Sequence, residues 1–217
     1  MSHLSVCLSG VELVLLKEKA VWLPEEKALL IADLHFGKAS HFRKSGIPIP
    51  EPIHDQDFMI LKRLIETFQA NHVYFLGDLF HSDWNAQWET VMDFLSTFPD
   101  TNFHLIKGNH DILSPSFYTN SLLEVHSEIL TMGQKILSHE PLEEVPRGYL
   151  NICGHIHPGI RLQGKARQNL RIPCFYYENH QLILPAFGNF TGLFMMKPNL
   201  SSQIYGVAAS KVIPILS

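Results

Sequence analysis

Residues 28–36 read ALLIADLHF, a short apolar run that ends in an aspartate, with a histidine two residues later. The run is too short for a buried helix, and runs of this kind are typical of strands covered on both faces. We therefore predict a strand over residues 28–32 that delivers Asp33 and His35 to the edge of a sheet. Because residues two apart in an extended segment point the same way, both side chains are expected to face one point.

The same arrangement, an apolar run followed by a polar cluster, recurs along the chain. Runs at residues 73–76, 103–106, 136–137 and 150–153 lead to Gly77-Asp78, Gly108-Asn109-His110-Asp111, Ser138-His139 and Gly154-His155-Ile156-His157. Apolar spacings of three and four predict helices from about Asp55 to Ala70 and near Ala86–Thr97. Alternating strands and helices indicate an α/β fold, in which the ends of separate strands bring distant side chains together.

The two ends of the chain have strand patterns of their own. Residues 11–16 and 20–23 predict two strands before the first cluster, and further strands are predicted at 174–177, 181–184, 203–208 and 211–216. No repeat or low-complexity segment divides the sequence, and 217 residues fit one core. We expect a single domain over residues 1–217.

Composition excludes several classes of protein. Hydrophobic residues make up 46% and charged residues 18% of the chain, which is typical of a globular protein. No apolar run approaches the roughly 18 residues of a membrane span, and no signal-peptide pattern begins the sequence. Three cysteines without a CxxC pair argue against a disulfide framework. We expect a cytoplasmic protein that does not bind membranes, and its net charge of −4 gives no global attraction to nucleic acid.

The polar clusters share a chemistry that suits metal ions. They offer carboxylate, amide and imidazole groups, which Mn, Fe, Zn and similar divalent ions accept. They lack thiolates, so a structural zinc site is a poor interpretation. Two ions about 3.5–4 Å apart need a bridging carboxylate and terminal ligands on each side. Helix capping is an alternative role for Asp33 and Asp78, but it does not account for His35.

In this order, the clusters resemble the motifs of the calcineurin-like metallophosphoesterases: D-x-H, G-D, G-N-H-D/E, a lone H and G-H-x-H. The resemblance spans about Ile31 to Pro158 and implies a four-layer αββα sandwich around two mixed sheets. It also implies two divalent ions, with Mn²⁺ expected and Zn²⁺, Fe or Ni²⁺ as alternatives. The implied ligands are Asp33, His35 and His157 for one ion, Asn109, His139 and His155 for the other, and Asp78 as the bridge.

The resemblance also implies catalytic roles beside the metal ligands. His110 would donate to the phosphate or to the leaving oxygen, and Asp111 would orient His110 through a hydrogen bond. The implied reaction is hydrolysis of a phosphoric ester, in which a hydroxide bridging the two metals attacks phosphorus in line.

A narrower resemblance covers the whole chain. The segments DLHFGKA (33–39), FRKSGIPIP (42–50), PAFG (185–188) and FTG (190–192) are similar to those of the PdeM-type phosphoesterases, bacterial ligase-associated DNA damage response endonucleases. This resemblance implies a manganese-dependent phosphodiesterase or endonuclease acting on DNA in repair, with a DNA ligase and a helicase as partners. The alternatives are a phosphomonoesterase or a nucleotide or UDP-sugar pyrophosphatase. A non-catalytic scaffold is disfavoured because the metal motifs are intact.

Substrate contacts are predicted from charge near the motifs. The candidates are Lys38, Arg43, His81 and Arg161. Residues 161–171 carry basic side chains and no acidic one, so this segment is either a phosphate-binding loop or a solvated basic turn.

Several aromatic side chains have two possible roles. Trp84 and Trp88 could stack on a base, but helix packing is the stronger expectation. Phe36 could contact a substrate base or sugar, and packing in the core is an expectation at least as good. Six histidines stand apart from the motifs and are expected to be surface or structural residues: His41, His54, His72, His104, His126 and His180.

Overall fold

A computed structural model describes residues 3–36, 53–80, 88–119, 121–163, 169–188 and 191–215, with backbone alone for residues 53–55. The predictions for Lys38, Arg43, His81 and Trp84 lie outside these ranges. In chain order, the elements are β1 His3–Leu8, β2 Val11–Leu16, β3 Val21–Leu23, β4 Ala28–Ile31, α1 Ile53–Phe68, β5 His72–Leu76, α2 Trp88–Ser96, β6 Asn102–Ile106, α3 Pro115–Thr119, β7 Leu123–His126, β8 Ile129–Met132, β9 Lys135–Ser138, β10 Leu150–Cys153, β11 Pro158–Gln163, β12 Asn169–Glu178, β13 Gln181–Ile183, β14 Phe194–Met195, β15 Gln203–Val207 and β16 Val212–Ile215.

The first sheet has the strand order β1-β2-β3-β4-β5-β6-β7. Its first four strands pair antiparallel, and β4 to β7 pair parallel. The parallel strands β4, β5 and β6 therefore end at one edge. Asp33, Asp78 and Asn109 follow these three ends.

The second sheet has the order β14-β11-β12-β13-β10-β9-β8, with β15 beside β12 and β16 beside β15. Strand β10 is parallel to β9 and β13, whereas β8 is antiparallel to β9. His139 follows β9 and His155 follows β10. The second sheet therefore carries the last two motifs at its strand ends, and the first sheet carries the first three. The α/β class and the two mixed sheets of the predicted sandwich are confirmed.

A shared apolar core holds the two sheets together. Leu30 and Leu76 of the first sheet belong to the same buried cluster as Leu137 and Ile152 of the second. Burying a side chain of this size stabilises the fold by about 1.5–3 kcal/mol. Because the sheets are fixed to each other through this core, the motif loops at their edges are held in register. The single domain over residues 1–217 stays a prediction, which the shared core supports.

A second core lies under the helices. Ile31 and Phe75 on the other face of the first sheet pack in one cluster with Leu61 of α1 and Val91 of α2. The helix predicted from Asp55 begins at Ile53, and among the described residues no helix is long and apolar enough to span a membrane.

The aromatic residues near the motifs pack in this helix-side core. Phe36 is 1% exposed and stacks on Phe58, with ring centroids 4.7 Å apart. Trp88 lies against Phe80 and Tyr118 at 5.3 and 5.5 Å. The packing expected for Phe36 and Trp88 is therefore confirmed, and base stacking by Phe36 is excluded by its burial.

Strands β1, β7, β8, β11 and β14 were not predicted from the sequence. The two ends of the basic segment 161–171 pair antiparallel, with Arg161 of β11 opposite Arg171 of β12, and residues 164–168 lie outside the described ranges. Both arginines are exposed. A strand pair, and not a loop, therefore carries the two basic side chains at the ends of this segment.

Candidate metal centre

Side chains from both sheets meet where the motif-bearing strands end. In the first group, Oδ1 of Asp33 lies 3.3 Å from Nε2 of His157, which lies 3.4 Å from Nε2 of His35. Donor atoms bound to one ion at about 2.0–2.2 Å are separated by roughly 3.0–3.5 Å. The spacing of this group therefore fits a common divalent ion.

The second group surrounds Nε2 of His139. This atom lies 3.1 Å from Nδ1 of His155 and 3.0 Å from Oδ1 of Asn109. Oδ1 of Asp78 is 3.5 Å away on another side. Imidazole nitrogens and oxygens in this arrangement make a second set of candidate ligands.

Asp78 connects the two groups. Its Oδ1 faces His139, and its Oδ2 lies 3.9 Å from Nε2 of His35. The side chain is almost completely buried. A carboxylate with one oxygen toward each group has the arrangement that a bridging ligand requires.

The backbone brings these side chains together in a way that the sequence analysis did not predict. Asp33 and His35 have φ values of +56° and +53°, so they are not extended and strand alternation does not explain why they converge. Asp78, His155 and His157 are also left-handed, with φ of +50°, +67° and +53°. Non-glycine residues in this conformation cost about 1–3 kcal/mol each and cluster at functional sites. The local backbone is strained where the candidate ligands lie.

The glycines of the motifs make room for the ligands. A Cβ at Gly77, where φ is +77°, would lie 2.1 Å from Nδ1 of His139. At Gly108 it would lie 2.3 Å from Oδ1 of Asp78, and at Gly154 it would lie 2.6 Å from Oδ2 of Asp33. For Gly108 and Gly154 the requirement is therefore close approach of the ligand side chains.

Main-chain groups orient the ligand side chains. Nδ1 of His139 lies 3.0 Å from the carbonyl oxygen of Leu76, so an N–H there can donate and leave the Nε2 lone pair toward Asp78. The acceptor is the main-chain carbonyl of Leu76, which does not depend on the type of side chain. The sequence therefore could not indicate that Leu76 orients His139.

The carboxylate of Asp33 is fully buried. The backbone N–H of His155 donates to its Oδ2 at 2.9 Å, and its Oδ1 accepts no hydrogen bond among the described residues. A buried carboxylate oxygen without a donor is costly unless a cation balances it. This oxygen, together with the donor set around it, shows that the residues present fit a metal ion.

His110 and Asp111 lie beside these groups. The ring of His110 is 5.7 Å from that of His35, and its backbone N–H donates to Oδ1 of Asp78 at 2.9 Å. Asp111 accepts backbone N–H groups from Phe80 at 3.1 Å and Gly108 at 2.9 Å. Both are main-chain donors, so Asp111 ties the two motif loops together, and its hydrogen bond to the His110 ring stays a prediction. Burial raises the pKa of Asp111 to about 6, against the opposing effect of these two donors.

Comparisons with known proteins agree with this arrangement. A model of the calcineurin-like phosphoesterase family matches residues 27–182. The crystal structure of the nuclease MPE of Pseudomonas putida is similar with a TM-score of 0.80 and 29% sequence identity, over 99% of this chain and 100% of that chain. A phosphoesterase of Escherichia coli, YfcE, gives a TM-score of 0.46 and 12% identity over 86% and 96% of the two chains, which carries no argument. No curated protein matches the sequence.

Proposed function

The chain belongs to the calcineurin-like phosphoesterase family, and from this premise we propose that it is a nuclease that hydrolyses phosphodiester bonds in DNA. Metal-dependent hydrolysis of phosphoric esters follows from the family. The proposal of a nuclease is supported by the similarity to the Pseudomonas putida nuclease, which covers 99% of this chain and 100% of that chain. The segments at 33–39 and 185–192 are similar to those of the ligase-associated DNA damage response endonucleases. This similarity also supports an activity on DNA in repair.

The proposed metal ligands divide into two sets with a common member. Asp33, His35 and His157 would hold one ion, Asn109, His139 and His155 the other, and Asp78 would bridge them. When bound, the ions lower the pKa of water to make it a nucleophile and offset charge on the phosphate oxygens. Mn²⁺ is our proposal for the ion.

His110 is proposed to act on the substrate and not on the metals. Its ring is only partly buried and lies edge-on to His35, so it can reach a phosphate held at the centre. A histidine N–H in that position would donate to the leaving oxygen and stabilise charge in the transition state. Asp111 is proposed as a positioning residue, because its carboxylate fixes the backbone on both sides of the centre.

Basic side chains are proposed to bind the DNA backbone. Arg161 and Arg171 are exposed on neighbouring strands, and β11 begins directly after His157. At the rise of a strand, the four residues from His157 to Arg161 span at most roughly 13 Å, so Arg161 is close enough to contact the backbone of DNA bound at the centre. Lys38, Arg43 and His81 remain predictions as further contacts, as do a DNA ligase and a helicase as partners.

The proposal is tested with metal-free protein, Mn²⁺ and a panel of substrates. The panel contains circular single-stranded DNA, linear duplex DNA, bis-para-nitrophenyl phosphate and the corresponding monoester. We expect cleavage of DNA and of the diester, with the Asp78→Asn variant as the control for contaminating nucleases. Linearisation of the circle would identify an endonuclease. Turnover of the monoester with intact DNA would instead establish the phosphomonoesterase alternative.

A further inference from the structure

A second group of metal-ligating side chains lies on β6 and β7, away from the centre described above. His104 of β6 is directly opposite Glu124 of β7 in the parallel register, and His126 is two residues beyond Glu124 on the same face. This register, and not a sequence motif, brings the three side chains together. Their donor atoms all lie within 4.8 Å of one another.

The distances within this group match the edges of a metal coordination shell. Nδ1 of His104 lies 3.2 Å from Oε2 of Glu124 and 3.5 Å from Nε2 of His126. The other carboxylate oxygen of Glu124, Oε1, lies 3.7 Å from Nε2 of His126. A tetrahedral zinc ion with bonds of about 2.0–2.1 Å has edges of roughly 3.3 Å. The carboxylate of Glu124 therefore has one oxygen near each histidine, at distances close to these edges.

The ring of His104 is held in the orientation that a ligand needs. Its Nε2 lies 3.2 Å from Nδ1 of His72, so an N–H on Nε2 can donate there while the Nδ1 lone pair faces Glu124 and His126. Tyr74 stacks on the same ring, with centroids 4.4 Å apart and planes at 12°. Histidine ligands of metals are regularly fixed by a hydrogen bond from the other ring nitrogen.

The group is open to solvent on one side. His126 is 17% exposed and Glu124 is 66% exposed at the side chain, which leaves an entry path and room for a water as fourth ligand.

We propose that His104, Glu124 and His126 bind one divalent ion of the zinc type, with His72 as the residue that orients His104. Two imidazoles and a carboxylate are a ligand set that Zn²⁺ accepts. The ion would fasten β7, the edge strand, to β6. The carbonyl of His126 accepts the N–H of Lys107 at 2.9 Å, directly before Gly108 and Asn109, so the ion would also steady the loop that carries Asn109. The site does not depend on the proposed nuclease activity.

The test is equilibrium dialysis of metal-free full-length protein against Zn²⁺, followed by measurement of zinc per chain. We expect the double variant His104→Gln/His126→Gln to bind one ion fewer than the wild type. The His180→Gln variant, which changes an exposed histidine elsewhere, should bind as many ions as the wild type. Circular dichroism and Mn²⁺-dependent phosphodiester hydrolysis serve to verify that the double variant is folded.

A second variant distinguishes between two interpretations of this group, a metal site and a set of hydrogen-bonded histidines without a metal. His72→Phe removes the acceptor for Nε2 of His104 but leaves all three proposed ligands. We expect it to keep the zinc stoichiometry and to weaken binding of this one ion by about 10–100-fold. Equal zinc content in the folded double variant and the wild type would overturn the proposal and leave the histidines with a hydrogen-bonding role only.

Discussion

The backbone N–H of His155 donates a 2.9 Å hydrogen bond to Oδ2 of Asp33, which joins the end of a strand in the second sheet to the end of a strand in the first. The bond uses one carboxylate oxygen and leaves the other, Oδ1, facing His157 at 3.3 Å. The first and second groups of candidate ligands are thus connected by a hydrogen bond that needs no ion. A variant at the centre can therefore lose metal without losing the fold.

The first prediction concerns Asp78, the proposed bridging ligand. Asp78→Asn replaces one of the two facing oxygens by an amide and removes the negative charge shared by both groups. We expect the variant to fold but to retain fewer than two tightly held ions per chain after dialysis against Mn²⁺ and gel filtration. Asp93→Asn, at an exposed position on α2, is the matched control. Two tightly held ions in the Asp78→Asn protein would refute a bridging role.

The second prediction separates His110 from the metal ligands. His110→Asn removes a donor near the phosphate but none of the proposed ligands. We expect an unchanged metal content and a decrease in kcat of ~10²-fold or more for the diester substrate, because a transition-state donor is lost. Metal analysis and steady-state kinetics on the same preparation measure both quantities. Full activity in this variant would show that His110 has no catalytic part.

The third prediction concerns Arg161 and Arg171. These like charges oppose each other across a strand pair, so replacing one by alanine removes repulsion and should not destabilise the protein. We expect Arg161→Ala to bind single-stranded DNA more weakly and to reduce the slope of log K against log salt by about 0.7. Lys62→Ala, which removes an exposed positive charge on α1, is the control. An unchanged salt slope would mean that Arg161 contacts no phosphate.

The sequence predicted the strands of the motifs well for a physical reason. Strands β4 and β10 are buried at every position, so their residues are wholly apolar in β4 and mostly apolar in β10, and a polar cluster follows each strand. The residues that converge on the candidate metal centre were predicted for the same reason. Each of them lies within four residues of the end of such a strand.

Other features depend on contacts that the sequence does not encode locally. Asp33 and His35 have positive φ, although both residue types are also compatible with an extended strand end. The pairing of His104 with Glu124 depends on the register of β6 and β7, which core packing determines. Neither feature has a periodicity that could have indicated it.

Asp57 and Lys19, two charged residues outside the metal centre, make stability depend on pH. Asp57 of α1 is 2% exposed, and burial raises its pKa to about 6, against the opposing attraction of Lys19. Burial lowers the pKa of Lys19 to about 8, against the attraction of Asp57. Each group is therefore held in an environment that disfavours its charged form.

The last prediction follows from the raised pKa of Asp57. Between pH 4 and pH 6 the folded protein keeps a proton that the unfolded chain has lost, so Asp57 stabilises the fold below about pH 4 and this contribution disappears as pH rises through about 6. Asp57→Asn removes this dependence. The measurement is urea unfolding of the metal-free wild type and of Asp57→Asn, which gives the free energy of unfolding of each protein. The value for the wild type minus the value for the variant should fall by on the order of 3 kcal/mol from pH 4 to pH 7. Asp93→Asn should give a flat difference, and a flat difference for Asp57→Asn as well would show that Asp57 titrates normally.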